Sequence, residues 1–531
     1  MGIFISVPKT IECVLCAVVF ALLYSGCCYR LLGILQSCGY SNAKFFGWAK
    51  SKGNLTFGKH VLLTMLCALS VAVISLCFSF SGEWAAVVGF AGFVIFLALF
   101  IWADNRVALK VPVAFTPRLK RLYTVLTLVS AVLIYFAITL LNFADFVWGN
   151  HIFNILRYCA LAIFPLLFMP LVAFSNLLAK IYEVPHNKSF IKKAKKKLEN
   201  SSVKVIGITG SYGKTSTKYI LSCILSSKYR VLSTPRSHNT PMGLALSIND
   251  NDLSEYDFFI AEMGARHVGD IEELCNFCPP EYALITGICP QHLESFKTEE
   301  NIVKAKGEIL SRCKKAVIAS DVYALFEAYP CPKLKSDCIE NVACDCHGST
   351  FTLNFGSEKA QAHTKLLGAH AVENIAVAAT LAHEIGMSAD EIASAVGKLD
   401  YIEHRLQLIE SGGVNILDDG YNSNVKGAAA ALEVLRSFGG RKIAVTPGLV
   451  ELGLLEEREN YALGQKLVGL DLVILVGETL VLPVKQGYTE AGGDSEKLLI
   501  VPSLNAAQEK LKGYIAKGDT VLFLNDLPDI Y

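Results

Sequence analysis

The sequence carries little charge and almost no excess of either sign. Charged residues make up 18% of the 531 residues, and 49 lysines and arginines nearly balance 48 aspartates and glutamates. Proteins that bind nucleic acid usually show a clear basic excess, so this balance gives no support to a nucleic-acid partner. Hydrophobic residues reach 52%, and high hydrophobic content with low charge predicts membrane segments in part of the chain.

The chain also lacks the regular cysteine spacing of a disulfide framework, although it has 17 cysteines. Several lie within apolar runs, which favours reduced and buried thiols. Cys275 and Cys278 form a C-x-x-C pair. A later cluster comprises Cys331, Cys338, Cys344, Cys346 and His347. A zinc site built from these side chains stays an alternative, but their irregular spacing favours free cysteines.

Five long apolar runs occupy the first third of the chain. Each is close to the roughly 20 residues that cross a bilayer as a helix. The runs are Ile11–Tyr29, Val61–Phe80, Trp84–Ala103, Leu122–Phe143 and Tyr158–Leu178. The second and third contain no charged residue, which disfavours the buried core of a soluble protein. The sequence therefore predicts a transmembrane domain of five helices over residues 1–183.

Charge alternates between the loops that join these runs. Ser81–Glu83 and Ala144–His151 contain no lysine or arginine, whereas the other loops and the segment after the fifth run are basic. Because basic loops face the cytosol, we expect a multi-pass plasma-membrane protein with its N-terminus outside and everything after Lys180 in the cytosol. Lys192–Lys197 is expected near anionic lipid headgroups. A signal peptide with a lipidated Cys27 is the alternative for the first run, but it lacks a cationic leading segment.

A phosphate-binding loop follows the membrane runs. Val203–Thr217 reads VKVIGITGSYGKTST, a β-branched run that breaks into glycines before Lys214, Thr215 and a predicted helix. Such a loop closes backbone N–H groups around phosphate oxygens, its lysine reaches the terminal phosphates and its threonine binds Mg²⁺. The strict motif has glycine at the position of Ile208, so this loop is a shorter variant. The alternative is a glycine-rich turn with a chance lysine.

Strand and helix patterns alternate from Ser201 onwards and restart after Arg405, which places a domain boundary near Ile402. The sequence therefore predicts a central P-loop ATPase domain with a parallel sheet over residues 184–402. A second, Rossmann-like α/β domain with a mostly parallel sheet is predicted over residues 403–531.

Two polar residues stand at predicted strand ends of the central domain, where sites of α/β proteins assemble. Glu262 ends the strand Phe258–Glu262 and could bind Mg²⁺, although a solvated carboxylate is the alternative. His292 follows the strand Ala283–Thr286, although a single histidine is more often structural. These positions make both residues candidates for the site.

A lysine and a domain junction extend the same site. Lys306 lies on a predicted helix near this edge and could balance phosphate charge, although its spacing alone favours a solvated lysine. Arg405 and Asp419 stand at the junction of the two α/β domains, where a nucleotide could be clamped. An interdomain salt bridge is the alternative for this pair.

Together these segments resemble the Mur ligase family, over about Ser201 to Tyr531. The motifs TGSYGKTS, EMGARHVGDI, the segment around His292, AKGEIL, HAVEN, EHRLQ and DDGYNSN occur in that family's order. The resemblance is strongest to the member type that adds D-alanyl-D-alanine. It implies an ATP-dependent amide (peptide) bond-forming ligase in bacterial cell-wall precursor synthesis. A substrate carboxylate would become an acyl phosphate, which an amine then attacks.

The resemblance also implies a role for individual residues. Lys214, His292 and Lys306 would be catalytic. The ATP site would include Gly210, Ser211, Gly213, Lys214, Thr215, Ser216, Asn374, Arg405, Asp419 and Tyr421. Magnesium would be held by Thr215, Glu262, His292 and a carbamylated Lys306. The acceptor substrate would meet Asn239, Thr240 and Asn422.

The chain departs from the family in its first third, where five apolar runs replace the usual domain for the UDP-sugar. Ala371 and Pro447–Val450 also differ from the usual family residues. The partners implied are a peptide-bearing precursor, lipid-linked in our hypothesis, an amino acid or dipeptide, and a lipid bilayer. Two alternatives stay open, namely a polyglutamate-type or other peptide ligase, and a membrane scaffold that only binds ATP.

Overall fold

The protein is described here by a computed structural model. It describes residues 7–51, 63, 66, 94–102, 112–148, 164–235, 238–421, 424–477 and 480–525. The chain divides into two compact units, one of residues 1–186 with 528–531 and one of residues 187–527.

The described part of the first unit is mainly helical. Its helices are α1 (Val7–Cys27), α2 (Tyr29–Ser37), α3 (Asn42–Ser51), α4 (residues 94–102), α5 (Pro117–Trp148) and the first part of α6 (Phe168–Glu199). Helix α1 packs against α5, and the Tyr24 ring stacks on Phe164 with centroids 4.6 Å apart. Apolar side chains on α5, such as Leu128, Phe136 and Leu140, stay exposed.

Two described helical segments are long and apolar enough to cross a membrane. They are Pro117–Leu141 and Phe164–Glu199, and the bent pair Cys13–Cys27 with Tyr29–Ser37 makes a third if it counts as one span. The sequence predicts five spans. Of the predicted run Val61–Phe80 only residues 63 and 66 are described, and of Trp84–Ala103 only residues 94–102.

The second unit begins with a fully parallel six-stranded sheet. Its strands are β1 (Lys204–Thr209), β2 (Val231–Ser233), β3 (Phe258–Glu262), β4 (Tyr282–Ile285), β5 (Lys315–Ile318) and β6 (Lys333–Lys335), in the order β2-β3-β1-β4-β5-β6. Strands β1, β3 and β4 are almost wholly buried, as expected where helices cover both faces of a parallel sheet.

Seven helices and a small antiparallel sheet accompany this central sheet. The helices are α7 (Lys214–Ser226), α8 (Pro241–Asp250), α9 (Asp270–Phe277), α10 (Leu293–Phe296), α11 (Glu299–Gly307), α12 (Ala369–Ile385) and α13 (Ala389–Val396) within the described residues. The small sheet is β7 (Ile339–Asp345), β8 (Gly348–Asn354) and β9 (Lys359–Thr364).

A second six-stranded sheet forms the C-terminal domain. Its strands are β10 (Gln407–Ser411), β11 (Val414–Asp419), β12 (Lys442–Thr446), β13 (Leu472–Val476), β14 (Leu498–Val501) and β15 (Thr520–Leu524), in the order β10-β11-β15-β12-β13-β14. Its helices are α14 (Val425–Ser437), α15 (Glu456–Lys466), α16 (Val481–Glu490) and α17 (Leu504–Lys512).

The one antiparallel pairing in this sheet has a local cause. Strands β10 and β11 pair antiparallel, and Gly412 and Gly413 join them with φ of 61° and 83°. Two successive positive φ angles suit the tight turn of a hairpin, and glycine adopts them without strain. The other described pairings in this sheet are parallel, which confirms the predicted mostly parallel α/β architecture.

The lysine-rich end of α6 packs on the central domain of the second unit. Ala194 and Leu198 are buried in its core. Lys197 Nζ donates to the carbonyl of Asn249 at 3.2 Å and of Asn251 at 2.5 Å, and Lys195 Nζ donates to a third carbonyl, that of Asn276, at 2.9 Å. Two of the lysines expected near lipid headgroups therefore bind backbone oxygens of the protein.

Candidate active site

The loop between β1 and α7 has the geometry of a phosphate-binding loop. Gly210 and Gly213 have φ of 149° and 78°. A Cβ on Gly210 would collide with the Thr286 side chain, and one on Gly213 would collide with Asn374, so both positions need glycine. Lys214 Nζ folds back over the loop and donates to the carbonyls of Gly210 at 2.5 Å and of a second loop residue at 3.2 Å. The ammonium group of Lys214 is therefore held by carbonyl oxygens of the loop itself.

Glu262 collects three polar side chains next to this loop. Thr215 Oγ1 lies 3.1 and 3.3 Å from its two carboxylate oxygens. Lys218 Nζ lies 2.9 Å from Oε2, and Asn239 Nδ2 donates to Oε1 at 3.3 Å. Glu262 is only 1% exposed, so the alternative of a solvated strand-end carboxylate is wrong. Burial of a carboxylate requires such partners, because an uncompensated charge would be strongly destabilising.

The remaining predicted residues of the central domain divide between the loop and structural roles. Asn374 accepts a hydrogen bond from Thr217 Oγ1 at 3.1 Å and lies against Gly213, whereas Ser211 and Ser216 lie in the loop and the first turn of α7. The Thr240 hydroxyl accepts the Gly243 N–H and caps α8. We predicted Thr240 to bind substrate, and in the structure its hydroxyl already serves the helix.

His292 contacts a carboxylate for which the sequence predicts no role. Its Nδ1 forms an ion-pair contact with Glu451 Oε2 of the C-terminal domain, and Glu451 also accepts a hydrogen bond from Arg266 Nη1 at 3.1 Å. Burial lowers the pKa of His292 against the opposing effect of Glu451. Burial alone would raise the pKa of Glu451, but the hydrogen bond from His292 and the charge of Arg266 lower it to about 2. A neutral His292 that donates to an ionised Glu451 leaves Nε2 with a free lone pair.

Lys306 is buried, with 2% of its surface exposed, so the alternative of a solvated helix lysine is wrong. Burial and then the neighbouring charge of Lys214 lower the pKa of Lys306 well below its usual value. Its Nζ lies 5.7 Å from the centre of the Phe296 ring. Within the described ranges no carboxylate forms an ion pair with it, which favours the neutral, nucleophilic amine.

Arg405 packs on Tyr421 within the C-terminal domain. Its guanidinium lies 4.6 Å from the centre of the Tyr421 ring and donates to the Tyr421 carbonyl at 2.9 Å. Burial lowers the pKa of Lys214 against the opposing charge of Glu262, and the positive charge of Arg405 lowers it further. Asp419 Oδ1 accepts the Leu406 N–H at 3.2 Å. The predicted Asn422 lies outside the described residues.

A second interdomain contact involves Tyr212, in the middle of the phosphate loop. Its hydroxyl donates to Asp321 Oδ2 at 2.9 Å, and Lys426 Nζ of α14 lies 2.9 Å from the same oxygen and 3.2 Å from the Tyr212 hydroxyl. A Cβ on Gly287 would collide with the Tyr212 ring, so glycine is needed beneath it. Nothing in the spacing of the sequence indicates that these side chains meet.

The donors beside the loop fit a divalent cation. Hydroxyl and carboxylate oxygens are the ligands that Mg²⁺ prefers, and Thr215 and Glu262 present them together. Each Glu262 oxygen also has more than one lone pair, so its protein partners leave room for an ion. No three His, Cys, Asp or Glu side chains among the described residues cluster as a metal site, so an ion here would need Thr215 and phosphate oxygens as well.

The C-x-x-C pair belongs to the hydrophobic core of the central domain. Cys275 and Cys278 are buried in the central core, and burial raises the pKa of Cys275 to about 12. Cys313 and Cys331 have sulfur atoms 3.3 Å apart. In the part of the chain that the structure describes, the predicted cysteine and histidine cluster is not assembled into a metal site.

Two family models match the second unit. The Mur ligase middle domain matches residues 208–382, and the Mur ligase glutamate ligase domain matches residues 404–525. Together they cover more than half of the chain.

Individual relatives give the same result. The chain is 29% identical over 336 residues to the UDP-N-acetylmuramoyl-tripeptide--D-alanyl-D-alanine ligase of Escherichia coli (strain K12), a match covering 59% of this chain and 74% of the relative. The enzyme of the same name from Mycobacterium tuberculosis (strain CDC 1551 / Oshkosh) is 29% identical over 408 residues, with 67% and 79% covered. The solved structure of MurF ligase from Thermotoga maritima in complex with ADP is similar with a TM-score of 0.58 and 29% identity, covering 64% of this chain and 80% of that chain.

Proposed function

Because the chain belongs to the Mur ligase family, whose members are ATP-dependent ligases that form amide bonds, we propose that it joins a dipeptide to a peptide-bearing cell-wall precursor. The observation that carries the proposal is the convergence of Thr215, Lys218 and Asn239 on Glu262 beside the phosphate loop. The relatives with this domain pair are named for the addition of D-alanyl-D-alanine, which makes that dipeptide the first amine to test.

The residues of the loop bind and orient ATP. Backbone amides around Gly210 and Gly213 surround the phosphates, and Lys214 neutralises the charge that moves onto them. The precursor carboxylate attacks the γ-phosphorus, so that an oxygen–phosphorus bond forms, the bond to ADP breaks and an acyl phosphate results. The amine then attacks the acyl carbon, phosphate leaves and the amine proton passes to solvent. Catalysis of this kind depends on positioning and on neutralising charge.

Magnesium is proposed to be held by Thr215, Glu262, His292 and a carbamylated Lys306. Bound there, the ion would neutralise charge on the phosphates. The surroundings of Lys306 support its part, because only an unprotonated amine adds CO₂, and burial beside Lys214 favours that form. The carbamate then replaces a buried lysine without a carboxylate partner by an anionic ligand. Asn239, which is bound to Glu262, is proposed to contact the acceptor from this side.

We further propose that residues 1–183 form a five-helix membrane domain with the N-terminus outside and the ligase domains in the cytosol. The two or three apolar helical segments of membrane-spanning length and the basic loops between the runs support this. These runs stand where the family has its UDP-sugar domain, so the acceptor in this proposal is lipid-linked.

An assay of the full chain in lipid nanodiscs tests these points. UDP-linked and lipid-linked tripeptide precursors are offered with ATP and with D-alanyl-D-alanine, single amino acids or glutamate. ADP release and product mass are measured. We expect ligation of the dipeptide, faster with the lipid-linked acceptor and abolished by Lys214→Ala. Equal rates on both acceptors would contradict the lipid-linked proposal. Product formation with glutamate alone would favour the polyglutamate-type reading, and ATP binding without ADP from any pair would favour the scaffold.

A further inference from the structure

We propose that Glu451 is a positioning residue of the ligase, through which the C-terminal domain orients the ring of His292 for metal binding. The inference rests on the proposed function, because it gives His292 the part of a magnesium ligand. Neither the motifs of the sequence nor the comparisons assign a role to Glu451.

Glu451 joins three groups of the central domain. It lies in the loop that follows β12, and its carboxylate accepts a hydrogen bond from Arg266 Nη1 at 3.1 Å and forms an ion-pair contact with His292 Nδ1. Its backbone carbonyl accepts the Leu293 N–H at 3.0 Å. The side chains of His292 and Glu451 are only 17% and 14% exposed. One residue of the C-terminal domain therefore fixes both the ring of His292 and the start of α10.

The backbone at both ends of this contact adopts an unusual conformation. His292 has a φ of 54° and Glu451 has a φ of 63°. Residues other than glycine seldom occupy this left-handed region, and they persist there where surrounding contacts hold them. Two such residues facing each other across the junction of two domains indicate that their side chains need this placement.

The chemistry of the contact selects one nitrogen of the ring. A carboxylate accepts a hydrogen bond, so the proton of a neutral His292 lies on Nδ1 and the lone pair of Nε2 points away from Glu451. Histidines that bind metals commonly donate their other ring N–H to a carboxylate, which fixes the tautomer and the orientation. Arg266 holds the second oxygen of Glu451 and so keeps the carboxylate from turning. When the C-terminal domain does not contact α10, His292 lacks this constraint.

Mn²⁺ binding measures this effect without any ligation. Wild-type full-length protein in nanodiscs and the variants Glu451→Ala and Glu451→Gln are titrated with Mn²⁺ and a non-hydrolysable ATP analogue, with electron paramagnetic resonance of the free ion as readout. We expect Glu451→Ala to weaken Mn²⁺ binding about 10–100-fold, with a change of less than about 3-fold in nucleotide affinity measured without metal. Glu451→Gln keeps an oxygen acceptor, so we expect a partial rescue, with binding about 3–10-fold weaker than wild type.

The matched control is Glu457→Gln, an exposed glutamate on α15 of the same domain, which should bind Mn²⁺ as the wild type does. Unchanged Mn²⁺ affinity in a folded Glu451→Ala would overturn the proposal. If that variant does not fold, Glu451→Gln decides, and unchanged affinity there overturns it equally. The proposed function is read separately from ligation by the wild type. A wild type that fails to ligate but shows the Glu451 effect refutes only the function, and the reverse pattern refutes only the positioning role.

Discussion

The two sides of the candidate site each bury a lysine, but in opposite electrostatic surroundings. On the phosphate-loop side, Lys218 lies 2.9 Å from Glu262, and both side chains are at most 6% exposed. On the α11 side, Lys306 is as deeply buried, and its Nζ lies 5.7 Å from the centre of the Phe296 ring. A buried ion pair balances its own charge, whereas a buried lysine without one is pushed towards the neutral amine. Burial alone therefore does not define a catalytic lysine, and the partner decides its role.

The largest effect should follow from removing the lysine without a carboxylate partner. Lys306→Ala is expected to lower the rate of ligation by on the order of 10²–10³-fold. ATP binding should remain, because the proposed role of Lys306 is to help neutralise charge on the phosphates and not to hold the nucleotide in place. ADP release and equilibrium ATP binding are the measurements. Short carboxylates such as acetate should restore part of the rate by taking the place of the carbamate.

Lys304→Ala is the matched control for this prediction, since Lys304 is an exposed lysine on the same helix. It should ligate at the wild-type rate. Full activity in Lys306→Ala would remove the carbamate role and, with it, the distinction drawn between the two lysines.

Replacing Lys218 should lower the free energy of unfolding more than replacing Lys306. Lys218→Met leaves Glu262 as a buried charge without its cation, so we expect a loss of about 3–5 kcal/mol in the free energy of unfolding. Lys306→Met removes a buried amine that has no such partner, and we expect no comparable loss. All four tryptophans lie between Trp48 and Trp148, so their fluorescence does not report on the ligase domains. Hydrogen–deuterium exchange of α7 and β3 is the suitable measurement, and equal losses in both variants would contradict the comparison.

The pH dependence of stability should reveal the same difference with a definite sign. The pKa of Lys306 is lowered in the folded protein from an ordinary value of 10.5, so the unfolded chain binds more protons between the two values. Protonation then favours unfolding, and the stability of the wild type relative to Lys306→Met should rise as the pH increases from neutral towards 10.5. Exchange rates of α11 at several pH values test this in metal-free protein, and a gap that does not change with pH would contradict it.

The smallest effect should come from an exposed lysine, Lys426, which reaches Asp321 and Tyr212 across the domain junction. Its side chain is 52% exposed, and pairs of this kind contribute about 0.2–1 kcal/mol. Lys426→Met should therefore raise the KM for ATP by no more than about 5-fold at an unchanged kcat. The charge exchange Asp321→Lys with Lys426→Asp should recover part of this change. An effect above about 100-fold would make the contact part of the catalytic machinery.

The sequence predicts the strands of the ligase domains well where they are strongly apolar. Phe258–Glu262 has the predicted bounds in the structure, and the predicted strand Ala283–Thr286 corresponds to β4 (Tyr282–Ile285), which is displaced by one residue. The short strands β2 and β6, of three residues each, are missed because they lack a pattern of their own and depend on pairing with distant residues. The five membrane helices are also predicted from apolar composition, and they stay a prediction.

The residues of the candidate site also divide into those that the sequence predicts and those that it does not. Residues within the phosphate loop could be predicted because their order along the chain carries the chemistry. Lys218 could have been found as well, since it lies one helical turn after Lys214 and therefore on the same face of α7. The partners that cross the domain junction, Glu451 and Lys426, could not, because no local pattern tells which loops of two domains will meet.

The packing of α6 also decides where the chain can be divided. The match to the Mur ligase middle domain begins at residue 208, which invites a cut just before β1. Such a cut would remove Ala194 and Leu198 from the hydrophobic core and Lys197 from the carbonyls at the end of α8. The apolar surface exposed by this cut would favour aggregation of the shortened protein. A catalytic fragment for biochemistry should therefore start at Asn187, where the second unit begins, and keep the last turns of the helix that enters it.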